Sequence, residues 1–168
     1  MRNIMNAMNK EEYHFSYAVY DSIEALDPGD AALLAEARKV TAAAYAPYSR
    51  FNVGAVARLA NGQMVAGTNQ ENASYPAGLC AERVLLSSAA TLFPDMAIET
   101  MAISYHNMNG ESDHPISPCG ICRQSLAEYQ ERTKHPIRLL LSGMQGKIYV
   151  IENAGMLLPL SFGSADLR

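Results

Sequence analysis

Ala97-Ile98-Glu99-Thr100-Met101-Ala102-Ile103-Ser104-Tyr105 leads through a polar loop to Pro118-Cys119-Gly120-Ile121-Cys122-Arg123-Gln124, and then to Ile137-Arg138-Leu139-Leu140-Leu141. The first and last runs are apolar and predict buried strands. The segment 120–132 between them predicts a helix. Strand, helix and strand at this spacing predict a right-handed parallel crossover. Downstream, Gly143-Met144-Gln145-Gly146 is a tight turn into a returning strand over 147–151. Upstream, residues 80–92 predict a helix with Ala81, Val84, Leu85 and Ser88 on one face. Before it, a strand from Phe51 to residue 60 turns at Asn61-Gly62, a strong hairpin signal, and returns over 63–68. Asp27-Pro28 pairs an N-cap with a first-turn proline and starts a helix running to about residue 45. Leu33, Leu34, Ala37 and Val40 form its apolar stripe. The core order is therefore α-β-β-α-β-α-β-β. It predicts an α/β fold in three layers, a mixed sheet with helices on both faces. Tyr13, Phe15, Tyr17 and Val19 alternate within 11–20 and predict an added N-terminal edge strand. The expected division is a 1–27 extension and a 28–168 domain.

With 168 residues the chain is one domain. Apolar residues make up 49%, which argues against disorder. Charged residues are only 18%, which hints at surface buried in an oligomer. Lys+Arg 13 against Asp+Glu 17 leaves −4, without the basic footprint that nucleic-acid binding needs. The polar opening over residues 1–9 has no apolar run fit for a signal peptide, and no stretch approaches a membrane span. The expectation is a soluble, cytoplasmic protein with reduced thiols.

There are three cysteines, an odd number that fits no internal disulfide framework. Cys80 opens one predicted helix; Cys119 and Cys122 open another. Three thiolates with a fourth position open is the pattern of a catalytic zinc site. Helix N-termini favour thiolates, because free N–H groups and the helix dipole stabilise negative charge. His14, His106, His114 and His135 lack zinc-finger spacing, although His106 and His114 fall near the loop before Pro118. Arg83 and Arg123 are candidates to offset the charge of three thiolates from outside the ligand shell. Each also reads as an exposed helix residue. Glu82, on the first turn after Cys80, suits proton transfer beside an open metal position. First-turn glutamates are also common for dipole reasons alone.

The combination Cys80-Ala81-Glu82 with Pro118-Cys119-Gly120-Ile121-Cys122 resembles the signature of the zinc deaminases. Within them the chain resembles the three-cysteine, small-subunit cytidine deaminases over about residues 30–167. The resemblance also rests on Tyr48-Ser49-Arg50-Phe51-Asn52-Val53-Gly54-Ala55, on Thr68-Asn69-Gln70-Glu71-Asn72-Ala73-Ser74-Tyr75-Pro76, and on Leu157-Leu158-Pro159-Leu160-Ser161-Phe162-Gly163. It implies a five-stranded mixed sheet, one Zn²⁺ per subunit on Cys80, Cys119 and Cys122, and a homotetramer. It implies hydrolysis of free cytidine or deoxycytidine to the uridine product and ammonia, with Glu82 moving the protons. It assigns ribose recognition to Asn69 and Glu71, the base wall to Phe51, and a backbone donor for the base carbonyl to Ala81. Tyr75 and Phe162 match aromatics that complete a neighbouring subunit's site.

Three other readings share parts of the pattern. Deaminases of modified nucleosides such as blasticidin S lack the Asn-x-Glu pair. A zinc-stabilised interaction protein would close the fourth position with a protein ligand. A nucleic-acid editor would carry a helix before the last strand, where residues 143–146 leave room only for a turn.

Overall fold

The computed structural model describes residues 9–167. The predicted crossover is its centre. Strand β4 (Ile98–Asn107) leads through helix α3 (Gly120–Thr133) to strand β5 (Arg138–Ser142). The two strands lie parallel, with Thr100 opposite Arg138 and Ile103 opposite Leu141. β6 (Ile148–Ile151) returns antiparallel to β5. On the other side, β2 (Phe51–Leu59) runs antiparallel to β4 and forms a hairpin with β3 (Met64–Thr68). The short β1 (Ala18–Tyr20) completes the sheet, whose order is β1-β6-β5-β4-β2-β3. The sheet is mixed, with the five expected strands and the added N-terminal one.

Alternation along the strands sends side chains to two cores. Ala55, Ala57, Met101, Ile103 and Leu139 pack under helix α2 (Ala81–Leu92) and α3. Val56, Ala102, Leu140 and Val150 pack on the opposite face against Leu33, Leu34 and Ala37 of helix α1 (Pro28–Val40). This is the three-layer arrangement, and it puts the N-termini of α2 and α3 on the same side of the sheet.

Asp27 caps α1 as predicted. Its carboxylate accepts from the Gly29 and Asp30 amides at 3.0 Å, an arrangement worth about 1 kcal/mol. The helix stops at Val40 rather than near residue 45. There the Thr41 hydroxyl donates to the Arg38 carbonyl at 2.7 Å and the chain tightens into a 3₁₀ turn. On α2 the buried positions are Ala81, Glu82, Leu85, Leu86 and Ala89 rather than Val84 and Ser88. The apolar stripe is thus rotated, and it carries Glu82 inward. The N-terminal strand is also shorter than predicted. Only Ala18–Tyr20 pairs, because β6 offers a four-residue partner and nothing extends the ladder to 11–17. The polar opening at 1–8 lies outside the described residues.

One contact fixes the height of α2 over the sheet. A Cβ placed on Gly67 of β3 would lie 2.5 Å from both the Ala81 carbonyl oxygen and the Leu85 amide nitrogen. Gly67→Ala must therefore lift the helix turn that carries Glu82 and follows Cys80. The expected result is a loss of about 1–3 kcal/mol in urea unfolding, together with weaker zinc retention. An unchanged urea midpoint would show that the helix gives way without cost.

Candidate metal centre and substrate cleft

Cys80 is the N-cap residue of α2, and Cys119 is the N-cap residue of α3. Cys122 stands on the first turn of α3 and is fully buried. Because α2 and α3 share one face of the sheet, their N-termini converge. Cys80 Sγ is 3.7 Å from Cys119 Sγ, and Cys119 Sγ is 3.4 Å from Cys122 Sγ. All three sulfurs lie within 4.8 Å of one another, and no fourth His, Cys, Asp or Glu joins them among the described residues. Four ligands placed tetrahedrally at the usual Zn–S length of about 2.3 Å stand about 3.8 Å apart. The sulfur spacing fits zinc, and three soft donors leave one coordination position for water or substrate. Two of the histidines have partners of their own. His114 meets the Tyr105 hydroxyl at 3.2 Å and Asp113 at 3.0 Å, and His14 faces Glu12 at 3.6 Å.

Charge is divided unevenly among the thiols. The Cys80 thiol is pulled down to about 6, chiefly by the Cys122 thiol, then by Cys119 and the Arg83 guanidinium, against the opposing effect of burial. Cys122 is pushed up by its hydrogen bond with Cys80, by burial and by the Glu82 charge. Glu82 is 5% exposed. Burial raises its pKa first of all, and the Cys80 charge raises it further. A carboxyl raised by burial and a neighbouring charge is suited to serve as a general acid and base.

The Arg83 charge is one of the causes that lower the Cys80 thiol. Arg123 does not reach for the sulfurs. Its Nε donates to the Pro118 carbonyl at 2.9 Å, and its Nη1 to the Leu157 carbonyl at 3.1 Å. It secures the loop that carries Cys119.

A cleft of about 600 Å³ opens onto Cys80 and Cys119. Cys80, Ala81, Glu82, Asn69, Glu71 and Tyr75 are among the residues that line it. The Glu71 Oε2 accepts from the Tyr48 amide at 2.9 Å and the Ser49 amide at 3.3 Å. The Ser49 hydroxyl and these amides hold the Glu71 carboxyl below the usual carboxylate range, so it is ionised at neutral pH. The Asn69 side chain grips the β2 backbone. Its Oδ1 accepts from the Val53 amide at 2.7 Å, and its Nδ2 donates to the Phe51 carbonyl at 2.9 Å. These bonds fix which end of the amide is oxygen.

Two assigned residues stand apart from the cleft in the single chain. Phe51 stacks on the buried Tyr105, with centroids 4.8 Å apart and planes at 13°, while Val53 lines the cleft beside it. Phe162 is 58% exposed and borders a separate groove over α3. Tyr75 lines the cleft, is 78% exposed and meets the Tyr48 ring edge-on. The sequence reading missed the grip of Tyr48 and Ser49 on Glu71 and the lining role of Ile116 and Ser117. Tyr48-Ser49 stood in a matched motif, but backbone donors carry no side-chain signature.

The fold and the thiolate site together define a zinc-binding α/β/α enzyme scaffold. Comparison with known proteins makes this specific. The family model described as "Cytidine and deoxycytidylate deaminase zinc-binding region" matches residues 28–135. A cytidine deaminase of Halalkalibacterium halodurans is 36% identical over 136 residues, covering 81% of this chain and 96% of that protein. The crystal structure of a cytidine deaminase from Burkholderia pseudomallei superposes with a TM-score of 0.68 at 39% identity, covering 78% of this chain and 97% of that one. The Mycobacterium tuberculosis cytidine deaminase structure gives a TM-score of 0.61 at 30% identity, covering 82% and 98%. The chain belongs to the cytidine deaminase family.

Proposed function

We propose that the protein hydrolyses the C4 amino group of free cytidine and deoxycytidine, giving uridine or deoxyuridine and ammonia, with one zinc per subunit on Cys80, Cys119 and Cys122. The observation that carries this reading is the buried Glu82 next to Cys80 and Cys122, in a cleft also lined by ionised Glu71. Bound zinc supplies Lewis acidity and a water of lowered pKa. Glu82 takes one proton of the water that adds to C4 and delivers it to N3 of the base, then relays the proton left on the added hydroxyl to the departing amino group, which leaves as ammonia. The Ala81 amide, at the α2 N-terminus, offers a hydrogen bond to the base carbonyl. Glu71 and Asn69 hold the ribose, and Arg83 offsets thiolate charge. The direct test is the fall in ultraviolet absorbance on adding cytidine. It should be abolished by removing zinc with a chelator and restored by adding zinc back. No fall with zinc-loaded protein overturns the assignment.

Glu71 sets the preference for free nucleosides. Its carboxylate accepts from a ribose hydroxyl and repels a phosphate at the same position. Glu71→Gln is expected to raise KM for cytidine about tenfold, with a smaller change in kcat, through loss of a charge-assisted bond. It should also narrow the gap between cytidine and its 3′-phosphate. Steady-state kinetics on both substrates checks this, and an unchanged KM removes Glu71 from the ribose site.

Exposed Tyr75, Leu160 and Phe162 support assembly as a homotetramer in which neighbours complete each cleft. Light scattering in solution tests it directly. No described helix is long and apolar enough to cross a membrane. With the −4 charge and the β5–β6 hairpin, this supports a cytoplasmic enzyme of pyrimidine salvage that acts on neither nucleic acid nor membrane. Residues 28–168 form its catalytic domain and 1–27 an extension.

A further inference from the structure

Residues ahead of position 28 lie outside the family match, yet the described part of this extension is not loose. β1 closes the outer edge of β6, an edge that would otherwise present unpaired backbone groups. The Tyr17 ring packs on Tyr149 of β6 with centroids 4.8 Å apart, and Phe15 stacks on Tyr17 at 5.7 Å. The Tyr13 hydroxyl donates to the Met156 carbonyl at 2.6 Å, a contact spanning 143 positions of chain, and lies 3.3 Å from Met156 Sδ.

Met156 belongs to a single 3₁₀ turn, Ala154–Leu157. α3 holds this turn from one side, through Gln130 Nε2 donating to Asn153 Oδ1 at 2.9 Å. The extension holds it from another. The residue after Met156 is Leu157, whose carbonyl accepts from Arg123 Nη1. The same guanidinium grips the Pro118 carbonyl through Nε. Pro118 precedes Cys119, which is the exposed member of the thiol cluster, whereas Cys80 is half-buried and Cys122 buried. An exposed ligand is open to competing water and chelator. Its retention therefore depends on how firmly its backbone is held.

We propose that the N-terminal extension is a strap that positions the metal loop, with Tyr13 as its positioning residue. It fixes the 154–157 turn, the turn fixes the carbonyl that anchors Arg123, and Arg123 holds Pro118 and hence Cys119 in ligating geometry. Loosening the strap leaves the cluster assembled but lets Cys119 leave the metal more often.

The test uses full-length, zinc-loaded protein and measures zinc transfer to a chromogenic chelator, with amide hydrogen exchange at 154–158 measured in parallel. Tyr13→Ala is expected to speed zinc release about threefold, the scale of one weakened hydrogen bond acting at a distance. Exchange at 154–158 should quicken while the urea midpoint stays in place. Tyr13→Phe keeps the ring and loses the donor, and should shift both readouts in the same direction. Arg123→Lys removes the two-pronged grip and must also speed release. A wild-type release rate in Tyr13→Ala overturns the proposal. Faster exchange with unchanged release also overturns it, because the strap then ends at the turn. A wild-type rate in Arg123→Lys breaks the chain of contacts at its centre. Metal release is read without substrate, so failure here is distinct from failure of the deaminase assignment.

Discussion

Replacing Glu82 by glutamine is expected to lower kcat on cytidine by about 10²–10⁴-fold, the usual contribution of a positioned general acid–base. Zinc content should stay at one per chain. The variant is nearly isosteric, so it preserves the packing of a residue that is 5% exposed on the first turn of α2. It removes the ability to gain and lose a proton. Burial and the neighbouring Cys80 charge hold the Glu82 pKa up, toward the range where one carboxyl serves as base and then as acid. In the proposed mechanism both proton transfers pass through it, so the loss should fall mainly on kcat and not on KM. At about 1.4 kcal/mol per decade, this corresponds to about 3–6 kcal/mol of transition-state stabilisation. Zinc-loaded Glu82→Gln with wild-type turnover would remove the residue from the chemistry. Loss of zinc from the variant would instead assign Glu82 to holding the α2 terminus.

Much of this was legible because the chemistry is compact in sequence. Cys119 and Cys122 are three residues apart on one helix start, and Cys80 lies two residues before Glu82. Any fold that brings two helix N-termini together assembles the site from these two short segments. The crossover over 97–141 forces that convergence by placing α3 on the face where α2 also packs. The errors lie where tertiary context overrode a local pattern. The Tyr13-Phe15-Tyr17-Val19 alternation fits a strand, but a strand needs a partner of equal length, and β6 supplies four residues. The α2 stripe was placed about one position off, and so did not show that Glu82 faces inward. Gly67, not periodicity, sets the seat of that helix. Arg123 was ambiguous because its partners are the carbonyls of Pro118 and Leu157, and backbone acceptors leave no trace in a motif. Phe162 is read as a site residue only through resemblance. Within one chain it faces a different groove.

The other large effect concerns the metal itself. Cys122→Ala is expected to reduce zinc from one per chain to near zero after exposure to a mild chelator, and turnover with it. Cys122 is the buried sulfur, 0% exposed and 3.4 Å from Cys119 Sγ. Two remaining thiols, one of them exposed, make a weak site. The wild-type protein supplies a second readout through proton release. The neighbouring Cys80, burial and the Glu82 charge push the Cys122 thiol above its ordinary value. It therefore holds its proton throughout pH 6–8. Zinc takes up the thiolate, so binding expels that proton and affinity must rise with pH, by about tenfold per unit for each proton expelled. Cys80, already pulled down to about 6, adds to this slope only at the acid end of the range. Between pH 7 and 8 the Cys122 proton therefore contributes to the slope while Cys80 adds little. The alanine variant should lose that contribution and bind its residual zinc with a shallower pH dependence. Competition titrations against a chelator of known affinity at each pH measure both slopes. Full zinc retention in Cys122→Ala would take the residue out of the ligand set, and an undiminished slope would assign the expelled proton elsewhere.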